Sequence, residues 1–150
     1  MSGPASTALP AGFTLLERHA GPFLSSLGPL FVKEEGGATV LGLHIAASHL
    51  NTRGLAHGGM LVTLADSALG IALARARTPP QPMVTVSLST DFTEAVRAGD
   101  WIEAHVEIDK IGARLAFATC HLVCAGRRVL RASGVFAVVA RAEHKKRLGG

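Results

Sequence analysis

Two adjoining stretches hold residue types that can do chemistry together: Asn51-Thr52-Arg53-Gly54-Leu55-Ala56-His57-Gly58-Gly59 and the apolar run over 60–76 that follows it. Two glycines after a histidine end an incoming strand and open a helix. The first N–H groups of a helix lack partners within it and lie at the positive end of its dipole, so they favour an oxygen that is gaining negative charge. Glycine lets a ligand approach that backbone closely. Gly58 N–H is therefore the candidate donor, with Gly59 beside it as a binding position. Asp66 lies mid-helix and is the only formally charged residue between Arg53 and Arg75. A carboxylate among apolar neighbours is costly unless it is hydrogen-bonded, paired or kept for function. Asp66 is accordingly the candidate to activate a water or to attack directly. Asn51 can fix that water or the carboxylate, because its amide both donates and accepts.

These residues need elements to position them. A short helix is expected over 13–20, interrupted by the stretch 22–29, and then two strands over 30–35 and 38–46 joined by a Gly36-Gly37 hairpin turn. Residues 48–57 read as loop, and the helix over 60–76 is apolar on nearly every face, so it is expected to be buried all round. Thr78-Pro79-Pro80-Gln81-Pro82 allows no further helix. From there the periodicity drops to two, giving strands over 83–92, 101–109, 113–124 and 127–140. The first of these places Val84, Val86 and Leu88 on one face and Thr85, Ser87 and Ser89 on the other. Six strands and one apolar helix predict an α+β layer, with the helix wrapped by a curved antiparallel sheet.

Composition narrows the function classes. The chain has 150 residues, 48% hydrophobic and 17% charged, which is the profile of a single globular domain rather than a disordered or fibrous chain. The expected organisation is a flexible start over 1–12, one domain over 13–140 and a basic tail over 141–150. The start lacks the basic and apolar regions of a secretory signal, and Asp66 interrupts the longest apolar run, so a cytoplasmic protein with no membrane partner is expected. Cys120 and Cys124 are four apart in a strand, about 13 Å on one face, and cannot bridge each other. A net charge of +4 favours an anionic partner. Nucleic acid is a poor fit, since the basic residues are scattered and aromatic residues make up only 5% of the chain. His44, His49, His105 and His121 do not follow a metal-ligand spacing, so no metal and no cofactor are expected.

Asn51, Gly54, His57-Gly58-Gly59 and Asp66, followed by the Thr85-Val86-Ser87 strand, together resemble the signature of the PaaI-type acyl-CoA thioesterases of the hotdog fold. The resemblance spans about residues 29–140 and implies hydrolysis of an acyl-CoA thioester to the free acid and coenzyme A. It implies that His57 supports the thioester carbonyl rather than abstracting a proton, and that the Thr85 hydroxyl helps position the water. Geometry adds a constraint: Gly59 and Asp66 lie about 10 Å apart along a helix axis, too far for one chain to hold both the oxyanion and the attacking water. Two antiparallel copies would close that gap, and the family's dimeric site, commonly within a homotetramer, implies the same. Arg97 and Arg114, with Lys110, are expected to form a basic rim for the phosphates of coenzyme A. Two other readings compete: a hotdog hydratase or dehydratase using His57 and Asp66, and a non-catalytic acyl-CoA binding protein.

Overall fold

The computed structural model describes residues 8–16 and 21–140. One antiparallel sheet contains β1 (Thr14–Leu15), β2 (Phe31–Glu35), β3 (Ala38–His44), β4 (Met83–Phe92), β5 (Trp101–Ile111), β6 (Leu115–Cys124) and β7 (Arg127–Val138). Their spatial order is β1-β2-β3-β5-β6-β7-β4. The long helix α2 (Gly58–Arg75) packs across one face of this sheet, against β3 to β7, and a short helix α1 (Gly21–Ser25) precedes β2. This is the expected α+β layer with seven strands instead of six.

Turn chemistry sets the meander. Gly36 and Gly37 have φ of 57° and 80°, and Ala125 and Gly126 have 48° and 78°, the paired positive values of a tight hairpin whose twist matches that of its strands. On the sheet face beneath α2, small side chains alternate with large ones. Ala104, Ala116, Ala118 and Ala132 are buried there, which lets Leu64, Leu69 and Leu73 of the helix reach between Leu122, Leu130 and Phe136. Gly134 is the tightest point: a Cβ there would stand 2.6 Å from Phe136 Cε2 and 3.0 Å from Leu69 Cδ1. Cys120 and Cys124 are buried free thiols in β6.

Three expectations are corrected. The helix over 13–20 is absent at its start, where Thr14 pairs with Val32 and Leu15 with Phe31; residues 17–20 lie outside the described residues, as do 1–7 and 141–150. Pro22, read as a breaker, instead sits in the first turn of α1, where a missing N–H costs nothing. The third correction concerns α2, whose 18 residues and mean hydropathy of 1.2 would satisfy a membrane span by length and composition. One sheet can cover only one side of a helix. Met60, Leu61, Leu64, Ala65, Ala68, Leu69, Ala72 and Leu73 are buried, while the stripe Val62, Thr63, Asp66, Ser67, Gly70 and Ile71 is only half covered.

The regular alternation expected along β4 is also interrupted. A bulge between Thr85 and Ser87 leaves Val86 without a partner on β7. Thr85 pairs with Phe136 and Leu88 with Gly134, both beneath α2, whereas Ser87 pairs with Val135 and Ser89 with Ser133 on the opposite face. The extra residue flips the pleat, so Thr85 and Leu88 face the helix together while Ser87 and Ser89 turn away. Replacing Gly134 by Val should overpack the seam between α2 and β7 and lower stability by about 1–3 kcal/mol. Denaturant unfolding of the Gly134→Val protein would measure it, and an unchanged midpoint would show that the seam yields.

Candidate active site

Asp66 lies on the half-covered side of α2, toward β4. Thr85 Oγ1 donates a hydrogen bond to Asp66 Oδ1 at 2.6 Å. A hydroxyl–carboxylate bond this short is charge-assisted, and it fixes the orientation of the carboxylate. Among the described residues no donor reaches the second oxygen, Oδ2, which remains available to a water. Ser67, next along the helix, is not a second such partner, since its hydroxyl donates to Thr63 O at 2.7 Å. A cavity of about 200 Å³ adjoins the pair, walled by Leu24, Gly70, Ile71, Met83 and Phe136.

The start of α2 forms the second part of the site. His57 is the N-cap, with φ −63° and ψ 129°, and its Nδ1 accepts from Gly59 N at 2.9 Å. Gly59 N–H is thereby engaged within the cap, and a Cβ on Gly59 would come 3.0 Å from the His57 ring. Gly58 N–H has no acceptor among the described residues. With Nδ1 accepting, the neutral imidazole carries its proton on Nε2 and presents a donor there. His57 is exposed.

Asn51 shapes the approach to this end. Its Oδ1 accepts from Arg53 N at 2.9 Å and Leu55 N at 3.1 Å, and its backbone N–H donates to Leu55 O at 2.7 Å. Gly54 completes the turn with φ +76°, a conformation that favours glycine. The carboxamide oxygen is thus spent on the loop, and the amide NH₂ is what Asn51 can still offer. Among the described residues no hydrogen bond joins Asn51 to Asp66 within one chain, and eight residues of helix put Gly58 about 12 Å from Asp66 along the axis.

The basic rim is not formed on one chain. Arg97 lies in the β4–β5 loop, where its N–H donates to Asp100 Oδ2 at 2.9 Å and neighbouring Val96 O accepts from Ala56 N at 2.8 Å, close to the start of α2. Arg114 lies in the β5–β6 turn at the far end of β5, next to Gly112, whose carbonyl accepts from Arg77 after the C-terminus of α2. An eleven-residue strand separates the two arginines, roughly 35 Å end to end. Both are exposed, and Lys110 likewise. Among the described residues no three His, Cys, Asp or Glu side chains converge as metal ligands.

Two neighbours of the site carry no signal in the sequence. Phe92, at the end of β4, is 52% exposed, and a Cβ built on Gly58 would meet its ring carbons at 3.3 and 3.4 Å. Leu24, on α1, walls the cavity beside Asp66 from a segment read as a break.

A long helix lying on one antiparallel sheet is the architecture of the hotdog fold, and the class of protein it defines here is a hydrolase of thioesters. Residues 53–131 match the thioesterase superfamily, and the chain belongs to that family. It is 49% identical over 129 residues to a Pseudomonas aeruginosa protein provisionally named an esterase, covering 85% of this chain and 96% of that one. A mutant of the phenylacetic acid degradation protein PaaI from Thermus thermophilus superimposes with a TM-score of 0.70 at 31% identity, covering 79% of this chain and all (100%) of that one. A hypothetical thioesterase from Streptococcus pneumoniae, solved with coenzyme A, gives 0.64 at 25% identity, covering 74% and 86%.

Removing the Thr85 hydroxyl should release the Asp66 carboxylate from its fixed orientation. A hydrogen bond to a charged group contributes about 1.5–3 kcal/mol, so Thr85→Val should lower kcat for a thioester by roughly 10- to 100-fold, with Thr85→Ser recovering most of it. Steady-state kinetics decide the point, and an unaltered kcat in Thr85→Val would remove Thr85 from the site.

Proposed function

We propose that the chain hydrolyses acyl-coenzyme A thioesters at a site completed by a second copy of itself. The observation that carries this reading is the separation between the Asp66–Thr85 pair and Gly58 N–H. Each is suited to one half of the reaction, and they are about 12 Å apart on one helix. The edge of the sheet supports the pairing. β4 is ten residues long, bonds to β7 on one side only, and has no strand on its other side among the described residues. Such an edge is a template for another strand. Thr85 near Asp66 and Phe92 near Gly58 stand toward opposite ends of β4 on its helix-facing side. Antiparallel pairing of two β4 strands sets the Gly58 end of one chain against the Asp66 end of the other, twice per dimer.

In that arrangement water attacks the thioester carbonyl carbon while Asp66 Oδ2 takes its proton. The oxygen that gains charge is held by Gly58 N–H of the partner subunit and by His57 Nε2–H of the same end. When the tetrahedral intermediate collapses, the C–S bond breaks, the sulfur leaves with the electron pair and is protonated, and the acid departs as its carboxylate. Direct attack by Asp66 would need the same placement. The Streptococcus relative with coenzyme A supports coenzyme A as the leaving thiol. The position of Arg97 near the start of α2 supports it, rather than Arg114, as the partner of the phosphates there. The outer face of the sheet carries exposed Val84, Leu115 and Phe117 around Ala137 and Val135, an apolar surface suited to joining two dimers as a tetramer.

Asp66→Asn keeps the volume and loses the base, so kcat should fall about a hundredfold or more while an acyl-CoA analogue still binds. Released coenzyme A can be followed with a thiol reagent, since both cysteines are buried, and burial pushes the Cys120 thiol up to about 12 and also raises that of Cys124. Near-normal turnover in Asp66→Asn would sink the assignment. Subunit exchange tests the shared site separately. Gly58→Val, whose added side chain presses on Phe92, and Asp66→Asn should each be inactive, yet their mixture should recover activity through the one intact site of the mixed dimer. Mixed dimers verified by mass spectrometry and still inactive would overturn the sharing.

A further inference from the structure

The cavity beside Asp66 is bordered by a residue that belongs to neither the long helix nor the sheet. Leu24 sits on α1, a five-residue helix with no buried residue of its own, yet it walls the cavity opposite the core residue Phe136. Its neighbour Phe23 is 66% exposed, so α1 lies on the surface with Leu24 as the side chain that reaches inward. On one chain the cavity holds about 200 Å³, and Leu24 bounds it on the α1 side. Moving α1 outward would deepen it.

A buried histidine ties down the segment that follows α1, beside the packing of Leu24 and Leu27 on the core. His49 is 4% exposed, its Nδ1 accepts from Ala46 N at 2.9 Å, and its Nε2 lies 2.7 Å from Leu27 O, just past the end of α1. An acceptor role at Nδ1 puts the proton on Nε2, which donates to the Leu27 carbonyl. The His49 carbonyl accepts in turn from His57 N at 2.8 Å, so the same residue ties α1 to the N-cap of α2. A buried ring with both nitrogens engaged has one orientation, and it fixes the Leu27 carbonyl three residues after Leu24.

We propose that α1 is an acyl-selecting strap, with Leu24 setting the depth of the cavity that receives the acyl group and His49 as the positioning residue that holds the strap there. The inference rests on the reading that the acyl group enters beside Asp66. It makes α1 the element that ranks acyl groups by length and bulk.

The test is a kcat/KM profile over saturated acyl-CoA esters from acetyl to palmitoyl, with phenylacetyl-CoA included, for wild type and four variants. Leu24→Ala should move the optimum to longer chains and Leu24→Phe to shorter ones, each by about 10-fold or more in the ratio of long to short substrates, since one methylene in a pocket discriminates by roughly 10- to 200-fold. His49→Asn keeps an acceptor for Ala46 N–H but is too short for Leu27, and its profile should shift as Leu24→Ala does. His49→Gln, whose terminal amide reaches Leu27 O, should keep the wild-type profile. Hydrogen exchange at the amides of 23–28 should quicken in His49→Asn and not in His49→Gln, whatever the activity. Profiles of unchanged shape in all four folded variants, with wild type active, would overturn the strap alone. A wild type that cleaves no acyl-CoA would overturn the function proposed above and the acyl role of the strap with it.

Discussion

A single sheet cannot cover a helix that is apolar on every side, and that mismatch governs this molecule. α2 has apolar residues around its whole circumference, but the sheet takes only the stripe from Met60 to Leu73. The opposite stripe, with Val62, Gly70 and Ile71, is left half covered, and Asp66 lies within it. Apolar surface exposed in such a stripe favours a partner, at about 25 cal/mol for each Å² removed from water. The exposed edge of β4 adjoins the same stripe through the Thr85–Asp66 bond, so the surface open to a second copy and the carboxylate proposed as the base are one region. The same apolarity that would let α2 pass for a membrane span by composition is what the shared site would use.

Helix ends pose the complementary problem. The first N–H groups of α2 must be satisfied or left for a ligand, and the cap divides them: His57 Nδ1 takes Gly59 N–H, while Gly58 N–H is left without an acceptor among the described residues. Asn51 and His49 hold that cap from two sides, Asn51 by folding the 51–55 turn on itself and His49 by its carbonyl to His57 N. A donor fixed by bonds it does not itself make needs no reorganisation when charge develops, which is the condition under which such donors contribute most.

Much of the fold was legible because it is written in periodicities. The change from period 3.6 to period two at the prolines located α2 and the four strands after it, and Gly36-Gly37 and Ala125-Gly126 marked hairpins by their turn chemistry. What escaped is what depends on pairing rather than on pattern. β1 is two residues long, too short to alternate, and exists through its ladder with β2. Pro22 opens a helix by the same fixed φ that elsewhere ends one. The arginines were placed by their distance in sequence from a strand, and a strand puts its two flanking turns at opposite ends of the sheet, which is where Arg97 and Arg114 stand. At the site, Asp66 and Thr85 were both legible as residue types, but their 2.6 Å contact was not, because it joins residues nineteen apart.

The bulge at Val86 shows why that contact could not be read from alternation. Without the extra residue, Thr85 and Leu88 would point to opposite faces of β4, and Leu88 could pack on the core only by turning Thr85 away from Asp66. With it, the strand places Met83, Thr85, Leu88 and Phe92 all toward the helix, so one edge strand holds the carboxylate's partner near one end and a wall for Gly58 at the other. These two points are seven residues apart, an odd number that an unbroken pleat would put on opposite faces. The bulge therefore does two things at once: it aims a hydroxyl at Asp66, and it makes the helix-facing side of β4 carry both halves of a site that a second, antiparallel β4 would bring together.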